Sequence, residues 1–291
     1  MVLSGVQDRI APLQAWLFPQ RVYLELQDQA VTAMALEGRQ VLLLERLALP
    51  AGTCFGGKPS SPDALGDLLG DWLLERGFGG ARVRAVLPVQ AAALRLLQGS
   101  AELVASQPEA LQWPWPAETP TDLIAQPLLV PPGRSLLAAA PTELLESWIE
   151  AFALAALPLD QLEPAVLCAG YGAQNELILL VEAEACTLLR FEAGVPQWQW
   201  SLPAPQPVEL LLEALTPCLA YWPQCSSLEL VVSAGADLDP QAFGALLQQD
   251  LPVRVDVRDP IASGWLLDAR GDGAPLSTAL LWGLAAAEVL P

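Results

Sequence analysis

The segment 21–48 alternates apolar and polar residues with the two-residue period of β-strands. The alternating apolar positions are Val22, Leu24, Leu26, Val31, Ala33 and Ala35. A third apolar run, VLLLERLALP, follows the turn EGRQ. The pattern therefore predicts that the chain opens with three antiparallel strands joined by short turns.

The next segment, SPDALGDLLGDWLLERGFGG, changes to the spacing of an amphipathic helix. Ser61 is the predicted N-cap, and Gly77 marks the predicted end of the helix. The apolar run ARVRAVLP, at 81–88, then predicts a buried strand. Together these elements form a βββαβ block.

The same order of elements returns after residue 176. Three strand patterns, LILLVEAE, ACTLLRFEAG and VPQWQWSLP, precede a helix pattern, PVELLLEALTPCLAYW, and a strand pattern, SLELVVSAG. A further helix, a short strand VRVDV and a final helix, STALLWGLAAAEVL, follow. An internal repeat of this size predicts two similar lobes.

The region between the two blocks has a different pattern. The run ALRLLQ predicts a strand, SQPEALQWP a helix, and the proline-rich stretch PWPAETPTDLIAQPLLVPPG loops and edge strands. A strand, RSLLAAA, and a helix with Pro141 in its first turn close the region. We therefore predict a first lobe at 1–88, an inserted subdomain at 89–157 and a second lobe at 158–291.

Charge and hydropathy narrow the possible functions. The chain has 33 acidic and 14 basic residues, a net charge of −19 and no histidine. This charge argues against nucleic acid and anionic membrane surfaces as direct partners, and a basic partner and an evenly solvated acidic surface both fit it. Despite a mean hydropathy of +0.37, no apolar run reaches the roughly 18 residues of a membrane span, and the first residues do not form a secretory signal. We expect a soluble cytoplasmic protein without direct membrane insertion.

The absence of histidine also limits the catalytic mechanisms that the chain can use. Ser-His and Cys-His nucleophilic sites are excluded, and with them most hydrolase mechanisms. The five cysteines are scattered without a CxxC pair, which favours reduced thiols. A zinc site would need these thiols and carboxylates, and no metal site is predicted.

The order of elements resembles that of the actin, sugar-kinase and Hsp70 superfamily. Within it, several segments resemble the type IV pilus assembly protein PilM family, which is similar to the cell-division protein FtsA. The matching segments lie between about 21 and 290 and include VYLELQDQAVTAMAL, LPAGTCFGGKPSSPDALGDLL, VRAVLP, SQPEALQWPWPAETP, SLLAAAPTELLESWIEAFALAAL, LVVSAGADLDPQAFGALLQQDLPVRVDVRDP and STALLWGLAAAEV. The resemblance implies an α/β, actin-like ATPase fold with two βββαβ lobes and an inserted small α+β subdomain.

The resemblance also places a nucleotide cleft between the lobes, and the chain departs from the family there. In the first turn, Glu25 stands for the aspartate, Gln27 for a glycine, and Asp28 lies beside it. In the second turn, Glu182 stands for the aspartate and Glu184 for the glycine. The adenosine motif SGGG becomes SAGA, which keeps Ser233 and Gly235.

These changes predict a degenerate nucleotide site. A carboxylate about 4 Å from a phosphate opposes it by roughly 1 kcal/mol in water and by several in a shielded cleft. We expect at most weak Mg-ATP binding, no catalytic residue and a pseudo-ATPase. Two interpretations of Glu25 and Glu182 stay open: a pair of Mg²⁺-linked carboxylates, or solvated remnants at a cleft mouth.

The resemblance further implies a scaffold that binds the N-terminal tail of the inner-membrane protein PilN, with pilus motor ATPases as further partners. Such a protein lies at the inner membrane through its partners. The tail would lie as an extended segment between the first lobe and the inserted subdomain. The candidate groove residues are Leu94, Leu96, Trp113 and Trp115. The tryptophans fit core packing equally well.

Two alternative functions also fit the sequence. One is an ATP-dependent enzyme of the same superfamily, in which Asp237 or Asp239 would be the base. The other is the cytoplasmic domain of the type II secretion protein GspL, which has a similar fold. Trp198 and Trp200 alternate on one strand, and we predict that they pack in the second lobe or lie on its sheet surface.

Overall fold

A computed structural model describes residues 20–98, 114–115, 123–128, 134–268 and 276–289. Its first sheet has the strand order β10-β6-β1-β2-β3-β16. These strands are β1 Arg21–Leu26, β2 Ala30–Glu37, β3 Gln40–Ala48, β6 Arg82–Leu87, β10 Leu159–Pro164 and β16 Leu267–Asp268. The first three strands pair antiparallel, as predicted, and β1, β6 and β10 pair parallel.

The second sheet repeats this arrangement with the order β13-β12-β11-β14-β15. Its strands are β11 Leu177–Val181, β12 Cys186–Glu192, β13 Val195–Leu202, β14 Ser227–Val232 and β15 Arg254–Val257. Antiparallel β11–β12–β13 and parallel β11–β14–β15 pairs match those of the first sheet. The predicted internal repeat therefore appears as two sheets of the same topology.

A pair of helices covers the outer face of the first sheet. These are α1 Pro62–Glu75 and α2 Thr142–Leu154, which bury Trp72 and Trp148 in the same core. The helices approach closely because α1 carries Gly66: a Cβ there would lie 2.7 Å from the Ala151 carbonyl oxygen of α2. This close contact makes α2 a structural part of the first lobe.

Two further helices lie between the sheets. They are α3 Ala165–Gly170 and α6 Ala279–Val289, and they share a core with Met34 of the first sheet and Ile178 of the second. The second lobe is completed by α4 Val208–Leu219 and α5 Pro240–Asp250, which pack on its own core. The two lobes are thus joined by buried apolar contacts as well as by the chain.

The inserted sheet has the order β7-β9-β8, with β7 Ala93–Gln98, β8 Leu123–Leu128 and β9 Arg134–Pro141. The proline-rich region does supply an edge strand, because β8 contains Pro127 and pairs only with β9 among the described strands. The predicted helix SQPEALQWP lies almost entirely outside the described residues. The remaining short strands, β4 Cys54–Phe55 and β5 Lys58–Pro59, form a hairpin.

Some local predictions differ from the structure. The sequence boundary at 157/158 divides α2 from β10, whereas both belong to the first lobe. Ser61 is at the N-cap of α1, but its side chain makes no capping hydrogen bond there. Pro141 precedes α2 as its N-cap instead of lying in the first turn. None of the described helices is long and apolar enough to cross a bilayer.

Candidate functional site

The ends of three strands bring polar residues together at the cleft between the lobes. Glu25 is the penultimate residue of β1, whereas Glu182 follows β11 and Ser233 follows β14. Gln27 lies in the turn between β1 and β2. All four side chains are buried, although they are polar. Buried polar side chains need hydrogen-bond partners, and these four have partners on the opposite side of the cleft.

Glu25 of the first lobe binds the loop that follows β14 in the second lobe. Its carboxylate accepts hydrogen bonds from the Ser233 hydroxyl and from the backbone N–H groups of Ala234, at 3.2 Å, and Gly235, at 3.3 Å. The loop can present these donors because 234–236 form a short 3₁₀ turn. Glu25 is 1% exposed, and its two carboxylate oxygens accept from these three donors.

Gln27 and Glu182 make the second link. The Gln27 amide donates to the Ser233 hydroxyl at 3.2 Å and lies 3.5 Å from a Glu182 oxygen. Glu182, 4% exposed, also accepts from the Val89 backbone N–H, at 3.2 Å and 3.3 Å to its two oxygens. We call the side chains of Glu25, Gln27, Glu182 and Ser233, with the N–H groups of residues 89, 234 and 235, the interlobe clasp.

Burial changes the acidity of both carboxyl groups. Loss of solvation raises the pKa of Glu182 from 4.5 to about 7, and the nearby charge of Glu25 adds to the rise. Burial likewise raises the pKa of Glu25, and its hydrogen-bond donors oppose part of that rise. The interpretation of these residues as solvated remnants is therefore wrong, because both are buried and bonded.

No protein-family model matches this chain, and no curated protein matches it. Solved structures do match. A chain of the PilM–PilN type IV pilus biogenesis complex is 19% identical, with a TM-score of 0.72 over 93% of this chain and 99% of that one. A Bacteroides thetaiotaomicron protein with an actin-like ATPase fold is 12% identical, with a TM-score of 0.51 over 83% and 91%.

This chain has an actin-like ATPase fold. The cytoplasmic domain of EpsL, an inner membrane component of the Vibrio cholerae type II secretion system, matches at a TM-score of 0.55, with 10% identity over 92% of this chain and 95% of that one. The predicted fold class is thus confirmed, and the predicted likeness to PilM extends to the whole fold.

Side chains leave little free space between the two turns of this actin-like chain. The cavity beside Gln27, Asp28, Glu182 and Gly235 has a volume of about 20 Å³, room for about one water molecule. The Gln27 side chain occupies the space next to Gly235: a Cβ added to Gly235 would lie 2.5 Å from the Cγ of Gln27.

The other acidic candidates lie around this cavity in different roles. Asp28 accepts from the backbone N–H groups of Gly56, at 2.8 Å, and Gly57, at 2.7 Å, and so organises the β4–β5 hairpin. Glu184 is exposed and lies 3.5 Å from the Gln29 amide. Among the described residues, no group of three or more histidine, cysteine or acidic side chains is arranged to hold a metal ion.

Neither proposed kinase base belongs to the clasp. Asp237 forms an exposed ion pair with Arg46 at 3.1 Å. Asp239 is the N-cap of α5 and accepts from the backbone N–H of Gln241 at 2.9 Å. Each aspartate therefore has a structural partner next to its own loop.

Leu94, Leu96 and Trp115 line a groove of about 660 Å³, which we call the second-lobe groove. Its opposite wall contains Thr187 and Trp198 of the second lobe. The predicted position between the first lobe and the inserted subdomain is therefore wrong for these residues, because β7 borders the other lobe. Trp113 lies outside the described residues. Trp198 and Trp200 are 60% and 40% exposed, so they lie on the sheet surface.

A different groove lies where the resemblance places the partner. This first-lobe groove, of about 770 Å³, is bordered by Ala138 of the inserted sheet and by α2 and β10. Its apolar wall includes Leu145, Ile149 and Leu157, and Asp160 and Glu163 border it. The sequence offered one signal for it: an apolar Ile149 next to Glu150 on the polar side of α2.

Proposed function

We propose that this protein is a cytoplasmic, actin-like scaffold of a type IV pilus inner-membrane assembly complex and binds the N-terminal tail of a PilN-like protein. The likeness to a chain of the PilM–PilN complex, over 93% of this chain, carries the proposal. The protein would lie at the inner membrane through this partner. Pilus motor ATPases are a further proposed partner class.

The interlobe clasp supports a scaffold that does not turn over nucleotide. An ATPase needs space for the phosphates and donors that face them, whereas here Gln27 fills the space and Glu25 takes the donors of residues 233–235. The buried carboxylates would also oppose an incoming triphosphate. We therefore propose a pseudo-ATPase whose lobes are joined by its own side chains.

We expect Mg-ATP at millimolar concentration to leave the melting temperature unchanged to within about 1 °C. A ligand that binds the folded state raises the melting temperature, and a closed cleft gives ATP no such site. Differential scanning fluorimetry measures this, with magnesium tripolyphosphate as the ionic control. A rise of several degrees with Mg-ATP alone would favour the ATP-dependent enzyme instead.

The first-lobe groove is the proposed tail site. It is apolar enough to hold aliphatic side chains, and it is large enough for a few residues of an extended peptide. Ile149 is 54% exposed on its wall, so an apolar partner side chain would bury it. Apolar contact at such a central position carries much of the affinity of a peptide site.

Replacing Ile149 with aspartate is expected to weaken the binding of a PilN-like N-terminal peptide by at least about tenfold, because a charge would lose its hydration in the apolar groove. Fluorescence anisotropy with a labelled peptide measures the affinity. Leu154→Asp is the matched control: Leu154 is 49% exposed on the same helix but outside the groove.

Leu96→Asp tests the second-lobe groove in the same experiment. If Leu96→Asp weakens binding and Ile149→Asp does not, the tail lies in the second-lobe groove and our placement is wrong. Absence of binding by the wild-type protein at tens of micromolar peptide would count against the scaffold function itself.

The likeness to the EpsL cytoplasmic domain favours a second candidate, a type II secretion scaffold of the GspL type. The TM-score of 0.55 and 10% identity make this match weaker than the one to the PilM–PilN complex. Binding of the cytoplasmic tail of a type II secretion partner, with no binding of the PilN-like peptide, would favour this candidate.

A further inference from the structure

Two buried carboxyl groups, one from each lobe, share a single hydrogen-bonded network. The chain of contacts runs from Glu25 through the Ser233 hydroxyl and the Gln27 amide to Glu182. If both groups were ionised, two negative charges would lie in a buried site that joins the lobes. A buried pair of this kind tends to retain a proton.

We propose that the interlobe clasp holds one proton and that loss of this proton loosens the contact between the lobes, so that lobe closure depends on pH instead of nucleotide. The proposal goes beyond the scaffold function, because it concerns the cleft and not the partner groove. It can therefore fail or succeed independently of peptide binding.

Hydrogen-bond donors identify the group that carries the proton. Glu25 receives three donors, from residues 233, 234 and 235, which suit an ionised carboxylate. Glu182 receives the Val89 N–H and one long contact from the Gln27 amide. With fewer donors and similar burial, Glu182 is the group that stays protonated. Burial raises the pKa of both carboxyl groups, so the difference in donors decides between them.

The groups around the clasp include carboxylates, thiols and arginines. Asp28 of the β1–β2 turn raises the pKa of Glu182 further. Burial keeps the thiols of Cys168 on α3 and Cys186 on β12 protonated at neutral pH. Charged side chains on the neighbouring elements include Arg46 on β3, Arg84 on β6, Arg95 on β7, Glu163 on β10, Glu184 beside β12 and Asp237 after β14.

Among these arginines, Arg46 and Arg84 interact with carboxylates other than Glu25 and Glu182. Arg46 pairs with Asp237 and lies 3.4 Å from the Gly235 carbonyl oxygen. Burial raises the pKa of Glu163, and the charge of Arg84 opposes part of that rise. The clasp itself is built from neutral donors, so the charge of an ionised Glu182 would be opposed by Glu25 across the cleft.

Hydrogen–deuterium exchange tests this directly, because the amides of residues 89, 234 and 235 donate to the two carboxyl groups. Exchange is measured on wild-type protein from about pH 6 to about pH 8.5, and each rate is divided by the intrinsic rate at that pH. We expect protection of these amides to fall about tenfold or more over this range.

Glu182→Gln removes the titrating group and keeps an acceptor for the Val89 N–H. We expect the protection in this variant to stay constant over the whole range, at or above that of the wild type at about pH 6. Glu184→Gln is the matched control: it lies two residues away, is exposed, and should follow the wild-type curve. A flat wild-type curve would overturn the proposal without any variant, as would a Glu182→Gln curve equal to the wild-type one.

Discussion

Replacing Arg258 with leucine is expected to lower the free energy of unfolding by about 3–5 kcal/mol. Arg258 follows β15, and its guanidinium donates to Glu229 of β14 at 2.7 Å and to the Ala169 carbonyl oxygen of α3 at 2.7 Å. Both charged side chains are almost fully buried. Leucine would leave the Glu229 carboxylate without its counter-ion in the interior, and this is the main cost.

Arg258 also stabilises the segment that connects the two lobes. The carbonyl oxygens of Ala169 and Tyr171 lie where the chain passes from α3 into the second lobe, and Arg258 binds both. The variant is therefore expected to loosen this connection as well as the second sheet. Urea denaturation followed by tryptophan fluorescence measures the loss of stability.

A matched control lies on β15, the strand that Arg258 follows. Arg254 forms an exposed ion pair with Asp256 at 2.7 Å. Exposed pairs of this kind contribute about 0–1 kcal/mol, so Arg254→Leu should change the stability by less than about 1 kcal/mol. Equal losses in the two variants would contradict the assignment of a structural role to the buried pair. The double variant Arg258→Leu/Glu229→Leu should recover part of the loss, because it removes the unpaired charge.

The second large effect is a pH dependence of stability that originates in Glu182. Its pKa is about 7 in the folded protein and near 4.5 when exposed. Between these values the folded state keeps a proton that the unfolded state has lost. The free energy of unfolding therefore falls as the pH rises from about 4.5 to about 7, by a total of about 3 kcal/mol, and then levels off.

Glu182→Gln should remove this contribution. The variant is expected to be more stable than the wild type above about pH 7, by up to about 3 kcal/mol, whereas the difference should disappear or reverse near pH 4.5. General repulsion among the acidic residues grows with pH in both proteins, so the difference between them isolates Glu182. Urea denaturation at several pH values measures it, and a difference that does not change with pH would contradict the assignment.

The sequence predicted an element correctly where the residues of that element alone show its period. The strands of both blocks and helices α1, α2, α4 and α5 were predicted because their apolar positions repeat with the period of the element. The pair β10 and α3 was missed. The segment LDQLEPAVLCAG is short, contains a proline between its two elements and has no run long enough to show either period.

The candidate site was predicted as a set of positions but not as an arrangement. Glu25, Gln27, Glu182 and Ser233 were identified and do lie together. Their burial was not predicted, because exposure at a cleft depends on how closely the lobes approach. Leu94 and Leu96 were expected in a groove between the first lobe and the inserted subdomain, because the resemblance to PilM implied one there. In the structure they line a groove together with residues of the second lobe.

The sequence by itself determined the repeated strands and helices, the order of the lobes and the presence of Gln27 and Glu184 in the two turns. These are local properties of period, turn chemistry and residue type. Only the tertiary structure decided that Gln27 meets Glu182 across 155 positions and that Glu25 meets Ser233 across 208. Such contacts depend on the packing of two sheets around α3 and α6, and no local pattern carries that information.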